Sequence, residues 1–570
     1  MKRLYLYIKP HMPQISVGLF IKFIGIMMDL IIPYILAMII DDFAKQGQEG
    51  KIYLWGGIMA LCGGLSFVSN IAANRIAASS AGKITKQLRH DLFTKISLLS
   101  SPDTDAFTTP SLISRLTSDT YNVNQMLARM QRIGVRAPIL LVGGIIITLA
   151  LDKTLTLILI ATLPVIAVIM YFVTKKSVPV YTESQEALDK LTRTVQENFA
   201  GVRVVKALSK TEYEKNKFDK DNKALISKEK RAGFIMSVTN PSATLILNVG
   251  LTLVVLFGAF RANAGNTTPG TIIAFLTYFT IILNAMLGIT NVFVMYTRGA
   301  ASARRISEVL DAENDGKILE LPGSKSGCHI EFRDVTFSYN KIRPNLKNIS
   351  FCLERGQTLG VIGATGSGKT TLINLLNRFY DPDEGQILID GADIRAIPND
   401  VLRKKFGNAF QSDFIFSGEI SENIDYLRGL SEETLVSAAE SAQAMSFISE
   451  SKGGMGYLVS QRGTNLSGGQ KQRLLISRSL AGGPEILVLD DASSALDYKT
   501  DSALRKALRE NYPDTTKIIV TQRISSIRHA DCILVLDDGE IIGKGKHSSL
   551  INDCETYRTI AQTQMGGEGL

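Results

Sequence analysis

The sequence predicts a membrane α-helical domain of six spans with long cytoplasmic extensions, followed by an α/β domain built on a phosphate-binding loop. Three observations carry this. Six long apolar segments all fall before residue 300. Beyond residue 328 the pattern changes to short strand-like runs mixed with helical ones. Between one such run, Leu359-Gly360-Val361-Ile362, and the helical spacing of Thr371–Leu376 stands Gly363-Ala364-Thr365-Gly366-Ser367-Gly368-Lys369-Thr370.

The apolar segments are Ile15–Ile40, Ile52–Ala73, Ala137–Leu151, Leu155–Val173, Leu245–Phe260 and Thr271–Tyr296. With flanking turns of helix, each can cross a hydrocarbon core that takes about 20 residues. Their connections are unequal. Asp41–Lys51, Leu151–Leu155 and Arg261–Gly270 are short, whereas Asn74–Arg136 and Lys175–Thr244 are long and rich in Lys and Arg. By the positive-inside rule the long connections, both chain ends and the second half are cytoplasmic in a multi-pass protein of the cell membrane. The formal net charge of +9 is explained by these scattered residues. They form no basic run, so no nucleic-acid partner is expected.

Within the long connections, Ile76–Leu99 and Glu183–Leu208 keep apolar residues at helical spacing. Membrane helices therefore continue into the cytoplasm, with breaks near Phe107-Thr108-Thr109-Pro110 and Phe199-Ala200-Gly201 that form short helices at the tips. Asp29 is the clearest ionisable residue inside a span, and a helix–helix contact is preferred over a pathway role. Asp41 and Asp42 read as solvated helix ends rather than a gate, and the single Trp, Trp55, as an interfacial anchor. Five separated cysteines (Cys62, Cys328, Cys352, Cys532, Cys554) show no metal-ligand spacing and read as reduced thiols. The expected domains are 1–310 in the membrane, a linker at 311–327 rich in Glu, Asp, Gly, Pro and Ser, and 328–570.

The glycine-rich stretch is a nucleotide site because its backbone can wrap a polyphosphate closely, with N–H groups at the following helix start aimed at the anion. Lys369 reaches the outer phosphates and the Thr370 hydroxyl can ligate magnesium. A second apolar run, Ile486-Leu487-Val488-Leu489, ends in Asp490-Asp491. Asp490 is placed to hold the magnesium and Asp491 to face the attacking water. Tyr339, about two dozen residues before the loop, can stack on an adenine. Between the glycine-rich loop and Asp490-Asp491, Asn465-Leu466-Ser467-Gly468-Gly469-Gln470 is another small-residue turn opening a helix. One nucleotide does not need two such turns from one domain, so Ser467–Gly469 are expected to close over a phosphate held by a second subunit.

Taken together, these motifs resemble the ATP-binding cassette family, and specifically a bacterial ABC exporter half-transporter, along essentially the whole chain. In family order stand Tyr339, the Walker A loop with Gly363, Thr365, Gly366, Ser367, Gly368, Lys369, Thr370 and Thr371, Gln411 of the Q-loop, the signature Leu466–Gln470 with Ser467, Gly468, Gly469 and Gln470, Walker B ending at Asp490, and the D-loop Ser494–Asp497. The resemblance implies an ATP-binding cassette fold, ATP with Mg2+ as cofactors, Thr370, Gln411 and Asp490 around the metal, and Asp491, Gln522 and Gln411 around the reaction. It also implies that Glu197–Leu208 is a coupling loop transmitting cassette closure to the membrane helices.

Two departures shape the functional expectation. The family has Glu after the Walker B aspartate, and this chain has the shorter Asp491. The family has His in the switch loop, and this chain has Gln522, which cannot become a cation. Both fall on the site built by this chain's own Walker A, while its signature is intact. The resemblance then implies one subunit of a heterodimeric exporter of amphipathic compounds, multidrug or lipid-like, whose own Walker side hydrolyses slowly. Alternatives are a homodimer with two weak sites, or a regulatory membrane ATPase that transports nothing. Gln461, where exporters often have Glu, adds a third departure.

Overall fold

The computed structural model describes residues 2–316, 318–321, 327–411 and 414–565. It divides into two compact units, Met1–Lys95 with Pro110–Asp311, and Ile96–Thr109 with Ala312–Leu570. Part of the linker expected over 311–327 lies outside the described residues.

The first unit is helical throughout. In chain order, among its helices and that of the intervening tip are α1 (Met12–Met38), α2 (Glu49–Ser97), α3 (Ser101–Phe107), α4 (Val135–Leu151), α5 (Lys153–Ala200), α6 (Val202–Ala207), α7 (Thr239–Asn263) and α8 (Pro269–Asp311). The helical periodicity on both sides of residue 74 has a simple outcome, since α2 runs unbroken through 49 residues, a rod of about 74 Å. Among the described residues five stretches are long and apolar enough to cross a membrane: Arg3–Ala44, Glu49–Ser97, Thr109–Leu151, Thr244–Asn263 and Pro269–Asp311. The segment expected at Leu155–Val173 lies in α5, where the described apolar stretch is the shorter Lys153–Val165. Both expected tip helices form, as α3 and α6. Ser100 caps α3 by accepting the Asp103 N–H at 3.2 Å, and the chain turns after it at Thr108, whose φ is 61°.

Polar contacts inside this unit bear on two readings made from the sequence, agreeing with one and correcting the other. Asp29, for which the sequence offers no partner, accepts from Arg136 at 3.0 Å and from the Ser66 hydroxyl at 2.5 Å. It joins α1, α2 and α4, the helix–helix role that was preferred. Asp41 is not a solvated helix end. Its carboxylate accepts from the Thr268 hydroxyl and from the N–H groups of Gly270 and Thr271, at 2.5, 2.8 and 3.1 Å. It therefore caps α8 from a residue more than two hundred positions away, satisfying orphan donors and complementing the positive end of the helix. Trp55 stacks against Phe43 with ring centroids 6.3 Å apart.

The second unit contains two main sheets. The strands are β1 (Ile330–Phe337), β2 (Leu346–Leu353), β3 (Thr358–Gly363), β4 (Glu384–Ile389), β5 (Ala392–Asp393), β6 (Phe406–Ala409), β7 (Ile486–Asp490), β8 (Thr516–Val520), β9 (Cys532–Asp537) and β10 (Glu540–Gly545). An antiparallel sheet runs β2-β1-β4-β5, and a six-stranded one runs β10-β9-β3-β8-β7-β6. The latter is parallel except for β10. Its central strands are buried on both faces, which is why they read as continuous apolar runs rather than alternating ones. The runs His329–Phe332 and Val335–Ser338, separate in the sequence pattern, are one strand, β1. It is interrupted by a register shift at Asp334, whose φ is 47°. That irregularity breaks the alternation and splits the signal.

The tip Ile96–Thr109 clusters with this unit. The Tyr380 hydroxyl donates to Asp105 at 2.5 Å, and Leu99 bridges to Asn314. Burial, and then Asp105, raise the Tyr380 phenol above its ordinary range. The cysteine reading is corrected here. Cys328 and Cys352 form a disulfide with Cα atoms 5.7 Å apart, and Cys62, Cys532 and Cys554 are free. Spacing along the chain hid the pair because the antiparallel β1–β2 register, with Glu331 opposite Cys352, brings distant residues side by side.

Removing the remote cap should loosen the start of α8. Asp41→Ala is expected to lower the unfolding free energy by about 1 kcal/mol, with Asp41→Asn losing less, as read from the thermal midpoint of helix loss in detergent.

Candidate functional site

Register in the parallel sheet builds the site. Val520 on β8 pairs with Val361 on β3 and with Asp490 on β7, so β7 and β8 end at one level and β3 runs two residues past it to Gly363. Three loops leave from that edge: 363–369 toward helix α9 (Lys369–Leu376), 491–497, and 521–523. Ligands of open α/β sheets bind at such carboxyl ends.

These loops surround a cavity of about 240 Å³. Thr365, Gly366, Gly368, Lys369, Thr370 and Thr371 line it from the glycine-rich loop, with Gln411, Asp490, Asp491 and Gln522. Gly368 sits in the left-handed region at φ 100°, and a Cβ there would stand 2.6 Å from Leu346. A Cβ at Gly363 would lie 2.2 Å from the Leu536 carbonyl, so the strand end passes too close for any side chain. Lys369 folds back over the loop, donating to the carbonyls of Gly363 and Ala364 at 2.9 and 2.7 Å, with the buried Ser367 hydroxyl 3.4 Å away. Thr370 donates its hydroxyl to Asp490 at 3.2 Å.

Electrostatically the cavity is a strained set of charges. Asp490 is 2% exposed, and burial pushes its carboxyl up, opposed by the Thr370 hydrogen bond. Burial also raises Asp491, with Arg523 and Lys369 pulling the other way, and burial lowers Lys369 against the pull of the two carboxylates. Asp491 takes φ 49°, a left-handed conformation in which Asp is enriched among non-glycine residues, and donates its N–H to the Val520 carbonyl at 2.9 Å.

The remaining predicted residues lie elsewhere. Tyr339 does not line the cavity. Its hydroxyl accepts from Asn374 at 3.0 Å, and its ring meets Tyr380 edge-on at 5.0 Å. Ser467, Gly468, Gly469 and Gln470 open helix α10 (Gly468–Ala481) away from it. Ser467 and Gln470 form a reciprocal capping box, with bonds of 3.3 and 2.8 Å. Gln472 of α10 ties the D-loop, donating to the Ser494 hydroxyl at 2.9 Å and accepting the Ala495 N–H at 2.8 Å. Sequence reasoning missed Asn345, which lines the cavity from the residue just before β2 and accepts the Tyr339 N–H at 3.2 Å. No spacing rule marks it, because its place depends on the β1–β2 turn.

Residues 15–286 match the family model of the ABC transporter transmembrane region, and residues 346–494 that of the ABC transporter. An uncharacterized ABC transporter ATP-binding protein of Bacillus subtilis, YfiB, is 34% identical over 100% of this chain and 99% of its own length. The chain belongs to the ABC transporter family. The ATP-dependent lipid A-core flippase of Vibrio vulnificus is 29% identical over 99% of this ABC transporter and 97% of the flippase. The structure of a bacterial Atm1-family ABC exporter with ATP bound shares the fold at a TM-score of 0.83, with 23% identity over 97% of this chain and 99% of that one. This chain is accordingly a multi-pass membrane ABC transporter with an ATP-hydrolysing domain.

The raised Asp490 carboxyl gives a signed prediction. An acid harder to ionise in the folded chain opposes folding once ionised, so its penalty is complete above its folded pKa and vanishes below its unfolded one. Asp490→Asn should therefore raise the thermal midpoint of the nucleotide-free protein near neutral pH. The gain should shrink toward zero as pH falls below the carboxylate range, while ATP turnover is lost.

Proposed function

We propose that this chain is one subunit of a heterodimeric ABC exporter for amphipathic, multidrug or lipid-like compounds, and that its own Walker site hydrolyses ATP slowly. The observation carrying this reading is that Asp491 and Gln522, two of the three departures from the family pattern, line one cavity with Lys369 and Asp490. Damage concentrated at one composite site, beside an intact signature turn, fits a subunit specialised to hold ATP. The lipid-flippase relative supports an amphipathic cargo. The proposed domains are 1–310 in the membrane, a linker at 311–327 and the cassette at 328–570.

In this reading the N–H groups at the start of α9 and Lys369 take the phosphates, and Lys369 exchanges its loop carbonyls for phosphate oxygens. Tyr339, outside the cavity but bonded through its N–H to the cavity-lining Asn345, stacks on an adenine that reaches beyond the phosphates. Thr370, Asp490 and Gln411 offer hydroxyl, carboxylate and amide oxygens, a hard donor set that fits magnesium. Magnesium, when bound, neutralises charge on the phosphate oxygens. Asp491 orients the attacking water, but its side chain is one methylene short, and a misplacement of about 1 Å costs about 100-fold in rate. Gln522 offers an amide where the family supplies an imidazole, so it can hydrogen-bond a phosphate oxygen but adds no positive charge. Ser467–Gln470 close over ATP on the partner subunit, whose site does most of the hydrolysis.

The test is ATP turnover by the purified chain alone, by the chain co-expressed with its candidate partner, and by each preparation carrying Asp491→Glu with Gln522→His. The lone chain is expected to run at least about 100-fold below the pair, and the double substitution should change the pair only modestly. Brisk turnover by a discrete homodimer of the unaltered chain would overturn the heterodimer.

A further inference from the structure

The segment carrying Gln522 is held from outside by a residue near the far end of the described chain. Helix α11 (Tyr498–Asn511) follows the D-loop, α12 (Ile524–Ile527) follows the switch segment, and α13 (Glu555–Met565) comes last among the described residues. Gln564 on α13 donates its Nε2–H to the Gln522 carbonyl at 2.6 Å and accepts the Ile524 N–H on Oε1 at 2.9 Å. Arg523, the N-cap of α12, makes no side-chain capping bond. The first amide of α12 would otherwise be an orphan donor, and Gln564 satisfies it from forty residues away.

Two further sets of contacts turn this into a clamp. Arg523 donates to the carbonyls of Leu496 and Ser494 at 3.1 and 2.8 Å, fixing the segment to the D-loop on its other side. α13 is itself anchored. Tyr557 is fully buried with its hydroxyl 2.8 Å from His547 Nδ1, and Tyr557 and Ala561 share one apolar core with Ile524 and Ile527. The amide side chain suits the task chemically, because one end must accept and the other donate. A carboxylate would keep the bond to Ile524 but turn a lone pair toward the Gln522 carbonyl.

We propose that Gln564 is a positioning residue for the switch segment, so that the C-terminal helix sets how fast ATP on this chain's own loop is hydrolysed but not how tightly it binds. This rests on the reading of Gln522 as a group facing the nucleotide.

The experiment uses the full-length chain with its partner in lipid nanodiscs. A photoreactive radiolabelled azido-ATP is crosslinked, and conversion to the diphosphate is followed on this chain alone, which isolates its site from the partner's. Gln564→Ala is expected to slow conversion about tenfold while leaving the half-saturating concentration within about twofold, the consequence of losing two neutral hydrogen bonds that act on rate. Gln564→Glu should be as slow at about pH 8 and recover as acid protonates its carboxyl and restores a donor, a pH profile that a general packing defect does not produce. Hydrogen exchange of the 521–527 peptide should quicken in Gln564→Ala. Unchanged conversion, a rate loss matched by an equal loss of affinity, or unchanged exchange would each overturn the proposal. Gln522→His with no effect on conversion would instead defeat the reading of Gln522. Slower conversion and faster exchange in Gln564→Ala would then still establish the clamp on residues 521–524.

Discussion

The cassette depends on one constraint, the in-register parallel pairing of β3, β8 and β7. Because Val520 sits level with Val361 and Asp490, the carboxyl ends of three strands drawn from distant parts of the chain come together at one edge. Burial on both faces makes that register costly to change, since a slip of one residue would exchange the two packed faces of a strand and shift the loop that leaves its end. Everything polar in the cavity is therefore presented by loops whose starting points are fixed by apolar packing. The strain in the cavity follows from the same arrangement. Two carboxyls and an ammonium are brought together where water is scarce, and each is pushed toward its neutral form.

What the sequence made legible was local chemistry. The glycine-rich loop, the acid at the end of β7 and the small-residue turn before α10 each announce themselves within a dozen residues, because backbone conformation and side-chain type are specified together there. The long helices were legible for the same reason, their periodicity running on past the apolar segments. Contacts that close over long sequence distances left no such mark. Asp41 looks like an ordinary helix end until the start of α8 is placed beside it. Cys328 and Cys352 look like unrelated thiols until β1 and β2 pair. Asn345 and Gln564 are unremarkable amides in the sequence, and the role of each is set by a neighbour that only folding brings near. Even β1 was read as two strands, because a single left-handed residue, Asp334, broke the alternation.

Asp491 shows how backbone and chemistry interact at one position. Its left-handed φ of 49° is tolerated by a short polar side chain, which can compensate locally by hydrogen bonding. A longer carboxylate would extend further into the cavity, but from a backbone conformation less natural to it. The residue's identity thus affects reach and local strain together, and the two need not favour the same side chain.

The length of α2 has a mechanical meaning. A helix of 49 residues is a stiff rod, and rods amplify. Tilting one of about 74 Å by about 5° around one end carries the other through about 6 Å, roughly one helical turn. Rotations too small to disturb the packing near the pivot are enough to displace a loop at the far end by the width of a side chain. Such a protein can exchange large, slow movements at one extremity for small, forceful ones at the other, and the ratio between them is set by where along the rod its neighbours hold it.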